Sequence, residues 1–112
     1  MPYGAGASAI TRSVTGGGSA GDAVYIDGDT TVAVVGAGDV AQGVLQSDAT
    51  DGEGSTITFR GVVNVNVAAG VQAGDYLETE GTTAGLLTTA AGVTNFLALT
   101  GAANGTARVL VR

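Results

Sequence analysis

The sequence predicts an all-β domain: a small β-sandwich or barrel-like fold built from two similar meander units, with an extended Gly-rich N-terminal arm. Three observations carry this reading. From Ile57 to Val67 the side chains alternate with a period of two. Ile57, Phe59, Val63, Val65 and Val67 share one face, Thr58, Arg60, Asn64 and Asn66 the other, and Val62 is the exception. A short motif also repeats: Gly-Asp-Ala-Val-Tyr-Ile-Asp-Gly from Gly21 returns as Gly-Asp-Tyr-Leu-Glu-Thr-Glu-Gly from Gly74, 53 residues on (21 to 74). Finally, no stretch of about 12 residues has the 3.6-residue periodicity of an amphipathic helix, which leaves room for at most one helical turn near Val40 to Gln46.

Residues 1–20 are Gly, Ala, Ser and Thr around Tyr3, Ile10, Arg12 and Val14, and they close in the run Gly16-Gly17-Gly18-Ser19. They read either as a solvated tail or as an arm and hinge. Ile10 to Thr15 alternates just enough to add one strand to an exposed sheet edge. The arm reading places that edge on a neighbouring subunit or partner, so removing residues 1–18 is expected to leave the domain folded.

The domain proper is expected over residues 21–112, with its two copies at about 21–60 and 74–112. In each copy Gly-Asp opens a tight turn into a short strand, and Asp27-Gly28-Asp29 or Glu80-Gly81 makes a hairpin turn in which Gly supplies the positive φ. An apolar stretch follows, Val40 to Leu45 or Val93 to Leu99, in which Val40 and Val44 answer Val93 and Leu97. Ser55 to Arg60 then answers Ala107 to Arg112 after a slip of one residue. Between the copies the ribbon Ile57 to Val67 is long for one strand. Gly61 near its middle permits a bend, so two consecutive strands that change direction there are expected.

Composition narrows the function. At 112 residues the chain suits one domain, and 45% hydrophobic residues are enough to bury a core despite 20 Gly. Without Cys, His, Lys or Trp, the sequence lacks the atoms for a disulfide, a zinc-histidine site, a histidine triad or a Schiff base. Ten acids against four Arg, a net charge of -6, argue against nucleic acid as a partner. No apolar run reaches the roughly 18 residues of a membrane span, so no membrane partner is expected. No cofactor is expected either.

Val32 to Gly43 imitates a strand entering a dinucleotide-binding glycine turn. The fingerprint requires a following helix, and the turn Asp51-Gly52-Glu53-Gly54 arrives too soon for one. Asp27-Gly28-Asp29 and the acids from Asp48 to Glu53 resemble fragments of calcium loops without the full spacing, and they read as acidic turns. Arg60 and Arg112 end equivalent strands, either as solvated strand ends or as forks that grip a partner's carboxylates.

The order of Gly21-Asp22-Ala23-Val24-Tyr25-Ile26-Asp27, then Phe59 to Val67, then Ala73-Gly74-Asp75-Tyr76-Leu77 resembles the capsid-cement, or head-decoration, proteins of tailed viruses of bacteria and archaea. The resemblance covers about residues 20–112. It implies a non-enzymatic structural virion protein on the outer capsid surface that stabilises the shell by cementing neighbouring major capsid proteins, as a homo-oligomer, a trimer on the lattice. Under that reading Tyr3, Ile10, Arg12, Val14, Arg60 and Arg112 are the candidate capsid or subunit contacts. The alternative is a β-module of a virus tail or fibre, or of a cell-surface layer.

Overall fold

The computed structural model describes residues 9–112, and its regular elements are ten strands: β1 (Ala9–Thr15), β2 (Ala23–Ile26), β3 (Thr31–Val34), β4 (Gly43–Leu45), β5 (Gly54–Thr58), β6 (Gly61–Asn66), β7 (Leu77–Thr79), β8 (Leu87–Thr89), β9 (Phe96–Ala98) and β10 (Thr106–Val111). The first five close a barrel in the order β1-β3-β2-β4-β5, with β5 paired back to β1. A three-stranded sheet, β6-β10-β9, and a two-stranded sheet, β7-β8, follow. The fold class is therefore the all-β, barrel-like one read from the sequence. The helical turn allowed near Val40 to Gln46 is instead loop and β4.

The ribbon Ile57 to Val67 divides as expected. β5 ends at Thr58 and β6 starts at Gly61, whose φ of 115° turns the chain out of the barrel into the second sheet. Ile57, Val65 and Val67 are buried, Phe59 and Val63 half-buried, and Val62 is exposed.

The repeat is deeper than its motif and starts earlier. The Leu45 N–H donates to the Asp22 carbonyl, and 53 residues on the Ala98 N–H donates to Asp75 (22 to 75, 45 to 98). The Ala49 N–H donates to Gly18 as Ala102 does to Val71, and the Val14 N–H donates to Glu53 as Val67 does to Gly105. β1 pairs antiparallel with β5 as β6 does with β10. The parallel pairing of Val14 with Val32 returns as a single bridge from Val67 to Leu87. Two tandem copies of one five-stranded unit result, residues 9–60 and 61–112, and the ribbon is the joint between them.

This corrects the expectation for Ile10 to Thr15. The segment pairs with β3 and β5 of its own chain, in parallel and antiparallel ladders, and its fully buried Val14 helps fill the barrel. The sheet edge it was expected to seek on a neighbour is supplied within the chain. The rest of the arm, including Tyr3, lies outside the described residues.

The first barrel is closed and the second is not. β7 meets β9 only at the bridge between Tyr76 and Leu97, whereas β2 and β4 pair over two residues. The open side of the second copy is filled by the first. Val14, Val24, Val32, Leu45 and Ile57 point into the barrel, while Ala23, Val35 and Val44 pack outward against Val65, Val67, Leu77, Leu87 and Phe96. β4 and the first two residues of β2 are thus buried on both faces, which explains why Ala23-Val24 and Gly43-Val44-Leu45 read as unbroken small or apolar runs. Each fully buried Val, Leu or Ile contributes roughly 1.5–3 kcal/mol relative to exposure.

Gly85 stitches the copies together. Its carbonyl accepts from the Ala23 N–H and its own N–H donates to the Val35 carbonyl, so it inserts between β2 and β3 at their ends. It has φ 79°, and a Cβ there would lie 2.6 Å from Cγ of Asp22. Gly85→Ala should therefore cost about 2 kcal/mol in chemical denaturation, more than Gly38→Ala, where φ is also positive but the space is open. Equal costs at the two positions would show that the close approach to Asp22 is absent.

Candidate functional site

Five of the ten acids, Asp22, Asp39, Glu53, Asp75 and Glu80, serve the backbone of their own turns. The carboxylates of Asp22 and Asp75 accept from the Ser19 and Gln72 N–H groups, a matched pair 53 residues apart (22 to 75), and Asp39 accepts from Gly36. Glu53 accepts from Thr50, whereas Asp51 reaches across to the Gly16 N–H of another loop. A hydrogen bond from the Thr31 hydroxyl holds Asp27 below its ordinary carboxylate pKa, and bonds from Thr82 and Thr83 do the same for Glu80. These are turn locks of the Asx and capping type. Among the described residues no three potential metal ligands converge.

Two surfaces stand apart from this pattern. The first is a cleft of about 590 Å³ between the copies, where β7 leaves β9. Its floor includes Leu77 and Phe96. Two equivalent loops flank it, carrying Val40 (78% exposed) and Val93 (76% exposed), which lie 53 residues apart (40 to 93). Thr79 ties the Val40 loop to β7 by donating from its hydroxyl to the Asp39 carbonyl at 2.7 Å, and Thr94 ties the Val93 loop by donating to the Leu77 carbonyl at 2.6 Å.

The second is the outer face of β6-β10-β9. On β10, Ala107, Val109 and Val111 point into the core, so Thr106, Arg108 and Leu110 point outward. Register then sets an apolar row across the sheet: Val62 opposite Leu110, Leu110 opposite Leu97, and Leu97 bridged to Tyr76. Leu99 extends it beside Arg108, to whose carbonyl its N–H donates. The two ends of the face are cationic. Arg108 lies opposite Asn64. At the other end, pairing of Gly61 with Val111 brings Arg60 and Arg112 next to each other in register. The Arg112 guanidinium sits 5.5 Å from the centroid of the Tyr76 ring and donates to its hydroxyl. Three of the four arginines therefore bracket this one face, and β6, β9 and β10 contain no acid.

The remaining candidate contacts fall elsewhere. Val14 is inside the barrel, and Arg12 spans the barrel mouth, where its Nη1 donates to the carbonyls of Gly28, Asp29 and Thr31. Ile10 is 48% exposed and lies at that mouth. The candidates thus divide between two places, Ile10 and Arg12 at the mouth and Arg60 and Arg112 at the sheet corner. Sequence reading passed over Leu97, Leu110 and Tyr76. The repeat aligns them with Val44, Thr58 and Ala23 of the first copy, and the structure shows those three to be buried.

Fold and surfaces together define a class: an all-β domain of two tandem five-stranded units, the first a closed barrel, with exposed apolar side chains on its surface. No family model matches the chain. No curated protein matches it either. It is similar in fold to the solved head fiber gp8.5 N base in bacteriophage phi29, with a TM-score of 0.69, 15% sequence identity and coverage of 93% of this chain and 92% of that one.

Proposed function

We propose that this chain is a non-enzymatic structural protein of a tailed-virus particle, mounted on the outer capsid surface, where it cements neighbouring major capsid proteins as a trimer. The observation that supports the reading most is the fold likeness across 93% of the chain to a head-fiber base. The resemblance of Gly21 to Asp27, Phe59 to Val67 and Ala73 to Leu77 to capsid-cement proteins points the same way. The equivalent loops at Val40 and Val93 are the capsid contact in this reading, because two side chains so exposed gain most from being covered.

The second reading is the base of a virus fibre, favoured by the description of the phi29 structure itself. Mixing the purified protein with expanded, mature heads separates the two. Regular sites over the lattice support cementing, and sparse sites each carrying a fibre support the base. The double variant Val40→Asp, Val93→Asp should lose head binding at least tenfold with an unchanged melting temperature. Full-strength binding by that variant would remove the loops from the contact.

A further inference from the structure

We infer that the outer face of β6-β10-β9 is the docking surface for a second copy of this chain, which presents the mouth of its first barrel. The chain already uses this face once as an interface. In the first copy the corresponding positions, Ala23 and Val44, are buried against the second copy. In the second copy the same positions hold the larger Tyr76 and Leu97, both only half-buried, Thr58 is answered by the half-buried Leu110, and the exposed Ala9 by Val62, which is 47% exposed. Duplicated positions left partly facing water have kept or gained apolar bulk. That is the pattern of a surface covered by another molecule.

Charge selects the occupant. Face-to-face pairing about a twofold axis would bring the Arg60, Arg108 and Arg112 sets of both copies together, a like-charge cost with no acid on these strands to offset it. The barrel mouth is the complementary surface. Its apolar rim is Ile10 and Ile26, 48% and 44% exposed, with the half-buried Phe59. Asp27 and Asp29 stand beside that rim in the β2–β3 turn, which Arg12 holds by its carbonyl bonds. Leu97, Leu110 and Val62 of one copy then cover Ile10 and Ile26 of the next, and Arg108 or Arg112 meets Asp29. The contact is head-to-tail, so copies close into a ring or continue as a chain. It deepens the oligomer reading above, yet rests on surface chemistry and not on any capsid.

The protein contains no Cys, so single cysteines report cleanly. Leu99→Cys and Ile26→Cys variants, oxidised separately and then as a mixture, should give a disulfide-linked dimer only in the mixture. Dimers from Leu99→Cys alone would overturn the head-to-tail contact in favour of face-to-face pairing. Sedimentation of the unmodified protein over about a hundredfold concentration range should show association that Leu110→Asp weakens at least tenfold without loss of the native circular dichroism spectrum. Arg108→Glu should weaken it similarly and Asp29→Arg should restore it. A monomer at every concentration overturns the inference. If head binding then falls with Leu110→Asp, the occupant is the capsid and not a second copy, an outcome that leaves the virion reading standing.

Discussion

Val65→Asp should abolish most of the stability of the domain. Val65 is fully buried, faces Ala107 across the β6–β10 ladder, and packs against the outward side of β2 and β4. A carboxylate there has no cation within the core to meet it. An unpaired buried charge costs about 3–5 kcal/mol, a large part of the roughly 5–15 kcal/mol that holds a domain of this size together. The neighbouring Asn64→Asp is the control, because Asn64 is exposed and lies opposite Arg108. It should change stability by less than about 0.5 kcal/mol, with any gain coming from the cross-strand pair. Val63→Asp should fall between them, since Val63 is only half-buried. Urea denaturation followed by circular dichroism ranks the three, and similar losses at Val65 and Asn64 would show that the faces of β6 are misassigned.

Deleting residues 1–18 should cost on the order of 5 kcal/mol or more and remove the cooperative transition of the first barrel. The deletion takes away both ladders of β1, with β3 and with β5, together with the Val14 side chain. It also removes the Gly18 carbonyl that accepts from Ala49. Loss would spread to the second copy, because Ala23 and Val44 on the barrel's outer side complete its core. The sequence reading expected the opposite, a folded domain without its arm. A truncated protein that melts within a few degrees of the full chain would restore that expectation.

The difference between these readings shows what was legible in the sequence and why. The split at Gly61 was legible because a period-two pattern long for one strand, with a glycine at its middle, leaves few alternatives. The Gly-Asp turns were legible because the requirement for a carboxylate lock repeats literally. β1 was legible as a strand from the alternation of Ile10 to Thr15, but not as the first strand of the repeat, because its equivalence to β6 is carried by hydrogen bonds and not by side chains. Gly16-Gly17-Gly18-Ser19 occupies the same loop as Ala69-Gly70-Val71-Gln72, and only Gly17 and Gly70 agree. β4 and the start of β2, Ala23-Val24, carry no alternation because both of their faces are buried. For the candidate site, the pairing of Val40 with Val93 was visible as part of the repeat, but their exposure was not. Arg60 and Arg112 were visible as equivalent strand ends. Their meeting at one corner followed only from the β6–β10 register, in which the first copy's end lies beside the second copy's end.

Amide hydrogen exchange on the free protein tests the tandem arrangement most directly. The Val14 and Val67 N–H groups occupy the same place in the two copies, donating to Glu53 and to Gly105, each at 2.9 Å. If β1 is the first strand of a duplicated unit, both amides should exchange slowly, with protection approaching that of global unfolding. Slow exchange at Val67 with exchange at Val14 at the rate of an unstructured peptide would contradict the account and return residues 9–15 to the status of an unpaired arm.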